Sequence, residues 1–425
     1  MHGEFAQNKL EESLTLKILV SSINFAPDHA GIAVYSTDFA IYLAEQGDKV
    51  SVVTGFPYYP SWKKNSEDQG IYFSKSIYKD MQIYRGYLYV PSKVTTIARI
   101  WHELTFCIFA SFNFIRSGRP DSIVLFTPPF FLGLVGIFGK WVWRCPLIIN
   151  IQDLPTDAAL ELGMIKKGMF LKIMQRIEGW IYRRADLVTT ISPAMMEIVA
   201  SKRVKLSKLI LVPNWIDVDK AIIKYSKGEF LSQHPIAKNK ITIAYAGNLG
   251  IKQGAESLVH LANEIKSNGE VHIFIIGDGA DKGRITKLAE IFNLKNLTFL
   301  PLMNPREYSN MLADIDIVFI AQKKGAGNNF FPSKLLGLLA QGKPLLVAAD
   351  TDSELAKVIL KLGCGLVSPY EDIVGLKKNL YKYIESKDLI REIGGKGIEG
   401  VYDFDRNKIL KNWRKNIQNI VEKKL

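Results

Sequence analysis

The chain has 425 residues, 48% hydrophobic and 23% charged, with a formal net charge of +13. That length and apolar content support two ordinary domains with full cores and exclude a disordered or low-complexity protein. Its three cysteines, Cys107, Cys145 and Cys364, are far apart and odd in number. Neither a disulfide framework nor a cysteine metal site fits them, and a reducing cytoplasm is expected.

Residues 1–15 begin with the polar run MHGEFAQNKLEESL, which carries no signal peptide and reads as an extension. From there strands and helices alternate. Strands are expected at Leu16–Ile23, Val50–Thr54, Gln82–Tyr87, Ser122–Thr127, Pro146–Gln152, Leu187–Ile191 and Leu209–Val212. Helices are expected at Ile32–Gln46, Val94–Ser117, Phe130–Trp143, Lys166–Arg184 and Pro193–Ser201. The second half has strands at Ile241–Gly247, Val271–Ile276, Leu297–Leu300, Ile317–Ala321, Pro344–Ala348 and Gly365–Val367. Its helices fall at Ala255–Ser267, Asp281–Phe292, Pro305–Ala313, Ser333–Gln341, Ser353–Leu362 and Glu371–Ser386. Alternation on this scale predicts two doubly wound parallel sheets: residues 16–213, a polar linker at 214–240, and residues 241–401. A basic amphipathic helix, 402–425, ends the chain.

The apolar run Ile123–Trp143 is long enough to raise a membrane span. Pro128-Pro129, Gly133, Gly136, Gly139 and Lys140 break it, and strand, turn and core helix is the better reading. Met169, Phe170, Ile173, Met174, Ile177, Trp180 and Ile181 fall on one helix face and read most simply as a core stripe. Charge is uneven. Lys63–Lys208 holds 21 basic against 11 acidic residues, and Arg406–Leu425 holds seven against one. Aromatics such as Trp101, Phe112 and Trp141 accompany the first region. An anionic membrane surface, or a solvated surface over an aromatic core, accounts for this pattern. No RRM, KH or helix-turn-helix pattern is present, so no nucleic-acid partner is expected.

Two strand–loop–helix corners carry the chemistry. One is QKKGAGNNFFPSKLLGLLAQGKPLLVAA, from Gln322 to Ala349, with Ser333 at an N-cap position and Lys334 in the first turn. A lysine there opposes the helix dipole, and a bound diphosphate would explain it. The other, Tyr245–Ala255, runs from an apolar strand through Gly247, Asn248, Gly250, Lys252 and Gly254. Neither is a P-loop, and no G-x-G-x-x-G follows the first strand, which disfavours a Rossmann dehydrogenase. Asp-x-Asp occurs at Asp217, Asp314, Asp350 and Asp403, in turns or opening a buried strand, so no metal site is expected.

YAGNLGIKQG, IIGDG at Ile275–Gly279, FLPL at Phe299–Leu302 and PSKLLGLLAQGKP together resemble the second domain of retaining GT-B glycosyltransferases of family 4. SSINFAPDHAGIAVYSTDFAIYLAEQGDKVSVVTGFPYYP resembles their first domain. With INIQDLPTDAALELGM and the turn at Pro213–Asp217, the chain looks most like the colanic-acid and exopolysaccharide members. The resemblance spans roughly Leu16–Leu425. It implies two Rossmann-like domains facing a cleft, and sugar transfer from a UDP- or GDP-linked nucleotide sugar, with no cofactor, to a polyprenyl-linked glycan. It also implies a cytoplasmic protein peripheral to the inner face of the cell membrane. Lys252 and Lys334 match diphosphate contacts, and Ser333 belongs to the phosphate corner. Gly31 matches the first-domain glycine loop. Gly277 and Gly279 lead to the base pocket, where Leu300 and Pro301 read the base edge. Asn248 replaces the usual arginine. Asn329 and Gly337 replace two glutamates, and Gln152 replaces the histidine before Asp153. Asp153, with Asp28, Asp157 and Glu161, is among the carboxylates left near the first-domain face, and it is the candidate contact with sugar or acceptor.

Two rival functions remain. A sugar-nucleotide epimerase of the same fold needs acidic and histidine residues in the cleft, yet of six histidines only His29 lies in a motif loop. A non-catalytic, membrane-associated sugar-nucleotide-binding module fits the missing glutamates, while two intact lysine corners oppose it.

Overall fold

The computed structural model describes residues 15–93, 95–154, 168–222, 227–323 and 334–424. Asp157, Glu161, Asn329 and Ser333 lie outside the described residues. One unit comprises the chain up to Thr156, Lys167–Val212 and Ile409–Leu425; the other is mainly Pro213–Lys408.

The first unit runs β1 (Lys17–Ser21), α1 (Ile32–Glu45), β2 (Lys49–Gly55), β3 (Phe73–Tyr78), β4 (Met81–Gly86), α2 (Thr96–Ser117) and β5 (Ser122–Thr127). It continues α3 (Leu132–Trp143), β6 (Leu147–Ile151), α4 (Met169–Arg184), β7 (Leu187–Thr190), α5 (Pro193–Ser201) and β8 (Leu209–Leu211). Strand order is β3-β4-β2-β1-β5-β6-β7-β8. Largely apolar strands such as β5 and β6 are buried throughout, as sheets covered on both faces require. The expected all-parallel sheet needs one correction. Strand β3 pairs antiparallel with β4 at the edge, through a tight turn at Lys79-Asp80.

The second unit contains α6 (Val218–Ala221), α7 (Glu229–Ser232), β9 (Ile241–Ala246), α8 (Glu256–Glu264), β10 (Val271–Ile276), α9 (Lys282–Ile291), β11 (Leu297–Leu300) and α10 (Pro305–Asp314). Then follow β12 (Ile317–Ala321), α11 (Lys334–Ala340), β13 (Leu345–Ala348), α12 (Glu354–Leu362), β14 (Gly365–Ser368), α13 (Ile373–Glu385) and α14 (Lys387–Val401). Its six strands are parallel, in the order β11-β10-β9-β12-β13-β14. Strand order reverses at β9, which lies between β10 and β12. Such a switch point leaves a crevice beyond the carboxyl ends of the strands. The expected linker is not a free tether, because Val218, Phe230 and Ala237 are buried in this unit's core. The Asp314 carboxylate accepts from the backbone N–H of Leu231 at 3.0 Å.

The last helix, α15 (Arg406–Glu422), completes the first unit. Trp413 stacks on Phe39 of α1 at 4.1 Å. Arg414 donates to both oxygens of buried Asp48, at 2.7 and 2.9 Å. Neighbouring strand residues point to opposite faces, and β5 shows which helices share one. Phe126 packs on Phe39 and Trp413. Leu125 meets α3 at Gly136. Thus α1 and α15 cover one face and α3 the other, with α2 and α4 beside α3 through Gly139–Phe114 and Gly133–Ile181 approaches.

The expected core stripe of α4 is also corrected. Ile181 is buried, but Met169, Ile173 and Trp180 are exposed. The inward positions are Leu171, Glu178, Ile181 and Tyr182, and Glu178 pairs with Lys202. Among the described residues, no helix is long and apolar enough to cross a membrane.

Candidate functional site

In the second unit, the carboxyl ends of β9, β10 and β12 open onto a cavity of ≈ 670 Å³. Its frame is made by two glycine loops. Strand β9 ends in Gly247-Asn248-Leu249 and β10 in Gly277-Asp278-Gly279. Their backbones are zipped together: Leu249 N–H donates to the Asp278 carbonyl at 2.8 Å, and Asp281 N–H to the Leu249 carbonyl at 2.9 Å. The approach leaves no room for side chains. A Cβ on Gly277 would sit 1.9 Å from the Gly247 carbonyl oxygen, and its φ of 142° already favours glycine. Sequence-distant motifs thereby become one rigid unit, of which Gly247, Asn248 and Ile276 line the cavity and Gly277 and Gly279 do not.

Lys334 enters from the first turn of α11. Its Nζ lies 4.2 Å from the Tyr245 ring centroid and donates to the Ala246 carbonyl at 3.3 Å. Tyr245 is held by its own hydroxyl, which donates to the Asn248 carbonyl at 2.7 Å. Burial pushes the lysine down to about 8, and no carboxylate of the described residues offsets that shift. An ammonium placed this way is held by a ring face and one carbonyl, and it lines the cavity.

The Lys252 corner is built differently from the expectation. Helix α8 starts at Glu256, after a single turn at Ile251–Gln253 and a left-handed Gly254 packed under Tyr370. Glu256 already places a carboxylate in the first helical turn, where it accepts from the Tyr370 hydroxyl at 2.7 Å and pairs with Arg284. The Lys252 side chain lies outside the described residues.

Asn248 lines the cavity beside Lys334. Leu300 and Pro301 do not line it. The Leu300 carbonyl instead accepts from Gly277 N–H at 3.1 Å, and Leu302 and Met303 supply the wall. Ile216, Tyr308, Leu312 and Ile320 complete an apolar side that sequence reasoning missed. Leu302 and Met303 follow β11 much as Gly277 follows β10, and that position was the available signal. At Gly337, on the same wall, an added Cβ would meet nothing within 4 Å.

Gly31, Asp28 and Asp153 belong to the first unit. Gly31 caps α1 with φ 60°. Asp28 accepts from Asn24 Nδ2 at 3.0 Å, and burial raises its pKa. Asp153 follows β6 and accepts the N–H of Leu154 at 2.8 Å. Gln152 donates to Asn150 Oδ1 at 2.7 Å, and Asn150 in turn donates to Thr189, so it serves a buried amide chain. Among the described residues, no three His, Cys, Asp or Glu converge as metal ligands do.

Residues 30–215 match the glycosyl transferase 4-like domain, and residues 226–399 match glycosyl transferases group 1. WcaI of Escherichia coli (strain K12), named for colanic acid biosynthesis, is 32% identical over 351 residues, 81% of this chain and 86% of that protein. Among solved structures, sucrose-phosphate synthase from Thermosynechococcus elongatus superposes with a TM-score of 0.73 at 16% identity, covering 95% of this chain and 98% of that one. Anabaena HepE in complex with UDP-glucose gives 0.69 at 14% identity, covering 95% and 100%. Both likenesses are of fold. The domain matches and the WcaI relationship place the chain by sequence: it belongs to the GT-B glycosyltransferases of family 4, among the WcaI-like enzymes of exopolysaccharide biosynthesis.

Proposed function

We propose that this glycosyltransferase moves a hexosyl or deoxyhexosyl group, with retention, from a UDP- or GDP-linked donor to a polyprenyl-linked glycan, without a metal ion. Lys334 is the observation that carries this reading. Its ammonium is desolvated, without a described carboxylate, and exposed to a cavity at the sheet's switch point. Negative charge grows on the diphosphate as the anomeric carbon–oxygen bond breaks. A preorganised cation stabilises that charge more in the transition state than in the ground state. The acceptor hydroxyl then bonds to the anomeric carbon on the same face, and its proton passes to the departing diphosphate oxygen. No strong enzyme base is required, which suits a site with Asn329 and Gly337 at the family's glutamate positions.

The apolar wall of Leu302, Met303 and Tyr308 suits a planar base. Asp153 and Gly31 would serve sugar and acceptor from the first unit, and Lys252 would add a second cation. The UDP-glucose complex of HepE supports a UDP-linked donor. The protein would work at the inner face of the cell membrane, where such acceptors are presented.

A thermal-shift screen against UDP, GDP and their common sugars tests the donor. Stabilisation by one nucleotide family is expected; no response to any of them would overturn the reading. NMR of the product's anomeric proton tests retention.

A further inference from the structure

We infer that the outer face of α2, α3 and α4 is a docking surface for an anionic lipid bilayer. The inference deepens the proposal of a membrane-held acceptor by assigning the surface that meets the membrane. Helix α15 packs on the opposite face of the sheet through Trp413, and its end reaches round to this region, where Lys424 and Lys140 of α3 both pair with Asp186.

On α2, Ile97, Trp101, Ile108, Phe112 and Ile115 are between 51% and 81% exposed. At about 100° per residue they fall within about 60° of one another, a single stripe. The buried positions of α2, such as Phe106, Ala110 and Phe114, already supply its core contacts. The stripe is therefore surplus to the fold.

Helix α3 is inverted relative to an ordinary surface helix. Its inward positions include Gly133, Gly136 and Gly139, each pressed against a neighbouring apolar side chain, while Leu134, Phe138 and Trp141 point outward. Trp141 is 78% exposed. Helix α4 continues the face with Ile173 and Trp180. Three adjacent helices thus expose one apolar layer, far more than scattered surface residues would give.

Charge selects the occupant. The three helices carry seven basic residues and two acidic ones, and Glu178 is buried against Lys202. Arg184 lies over the Trp180 ring at 5.3 Å from its centroid, and Arg116 over Phe73 at 5.0 Å. Tryptophans and arginines together on a face without a crossing helix match the headgroup zone of an anionic leaflet. Both acidic residues are already paired within the chain, Glu103 with Arg99 and Glu178 with Lys202, which leaves little for a second copy of this basic chain to answer, so lipid is favoured.

The test uses the full chain, vesicles of phosphatidylglycerol and phosphatidylethanolamine, and control vesicles of phosphatidylcholine, at low and high salt. Wild type should co-sediment with the anionic vesicles, less so at high salt, and brominated acyl chains should quench its tryptophan emission. The triple variant Trp101→Ser, Phe112→Ser, Trp141→Ser should bind at least about tenfold more weakly, with an unchanged nucleotide-induced thermal shift. Three results would overturn the inference: wild type that ignores anionic vesicles, a triple variant that binds like wild type, or a wild-type dimer that the variant abolishes without any lipid binding. If the vesicle pattern holds while no nucleotide stabilises either protein, the surface stands and the donor reading falls.

Discussion

Replacing Lys334 with methionine should make the protein more stable and a poorer nucleotide binder at the same time. The ammonium is held near pKa 8 by burial, against an ordinary lysine value of 10.5. In the folded protein the charged form is therefore penalised. Below pH 8 both folded and unfolded chains carry the proton, and the whole penalty, roughly 3 kcal/mol, weighs on the fold. Between about 8 and 10.5 the unfolded chain holds more protons than the folded one, so wild-type stability rises with pH and the penalty fades. The methionine variant lacks the penalty, so its advantage should be full below pH 8 and gone above 10.5. For a unit of this size the gain corresponds to roughly 5 °C or more in melting temperature at pH 7. Binding moves the other way. Loss of a charge-assisted contact to the diphosphate costs about 1.5–3 kcal/mol, or roughly 10- to 150-fold in affinity. Wild-type affinity should decline as pH climbs past 8, and the variant's should stay flat. Differential scanning fluorimetry and nucleotide titration from pH 6.5 to 10 read both. A variant that binds UDP and GDP like wild type, or melts earlier at pH 7, refutes the reasoning.

Gly277→Ala should cost roughly 2 kcal/mol or more and abolish the nucleotide-induced shift, because its Cβ would collide with the Gly247 carbonyl at a φ of 142°; urea titration with and without nucleotide measures both. Gly337→Ala, whose Cβ meets nothing within 4 Å in α11, should stabilise by about 0.5–1 kcal/mol, which urea titration without nucleotide would show. Asp48→Ala leaves Arg414 buried without its carboxylate and should cost about 3–5 kcal/mol in urea denaturation. Transfer should persist in excess EDTA; loss with rescue by Mn²⁺ or Mg²⁺ would show that an Asp-x-Asp pair binds metal.

The alternating core was legible because buried parallel strands read as uninterrupted apolar runs. Strand β3 was not. Its sequence FSKSIY is mostly exposed, and its hairpin turn uses Lys79-Asp80 at φ 47° and 62° instead of the glycine-containing pair that signals such turns. Helix α14 escaped notice for its four glycines, which lower helix propensity. One of them, Gly394, packs so closely that a Cβ would lie 2.3 Å from the Gly342 carbonyl. At the site, the glycine loops and Lys334 could be picked out, since each stands at a strand end beside a residue type with a chemical reason to be there. That Gly277 would seat directly on Gly247 depended on the register of β9 against β10, which no local pattern encodes. The role of Leu302 and Met303 was hidden likewise: the wall lies just beyond β11, one step past the residues chosen from the motif.

The return of α15 to the first unit has a consequence for synthesis. Phe39, Phe126 and Asp48 acquire Trp413 and Arg414 only when the last residues have left the ribosome. The amino-terminal half, although made first, cannot finish folding first. It must wait through translation of the whole second unit with an apolar groove and a buried carboxylate uncovered. Nascent chains stalled before Ile409 should therefore be held by chaperones or degraded, and a stop codon removing only α15 should affect the earliest-made part of the protein most.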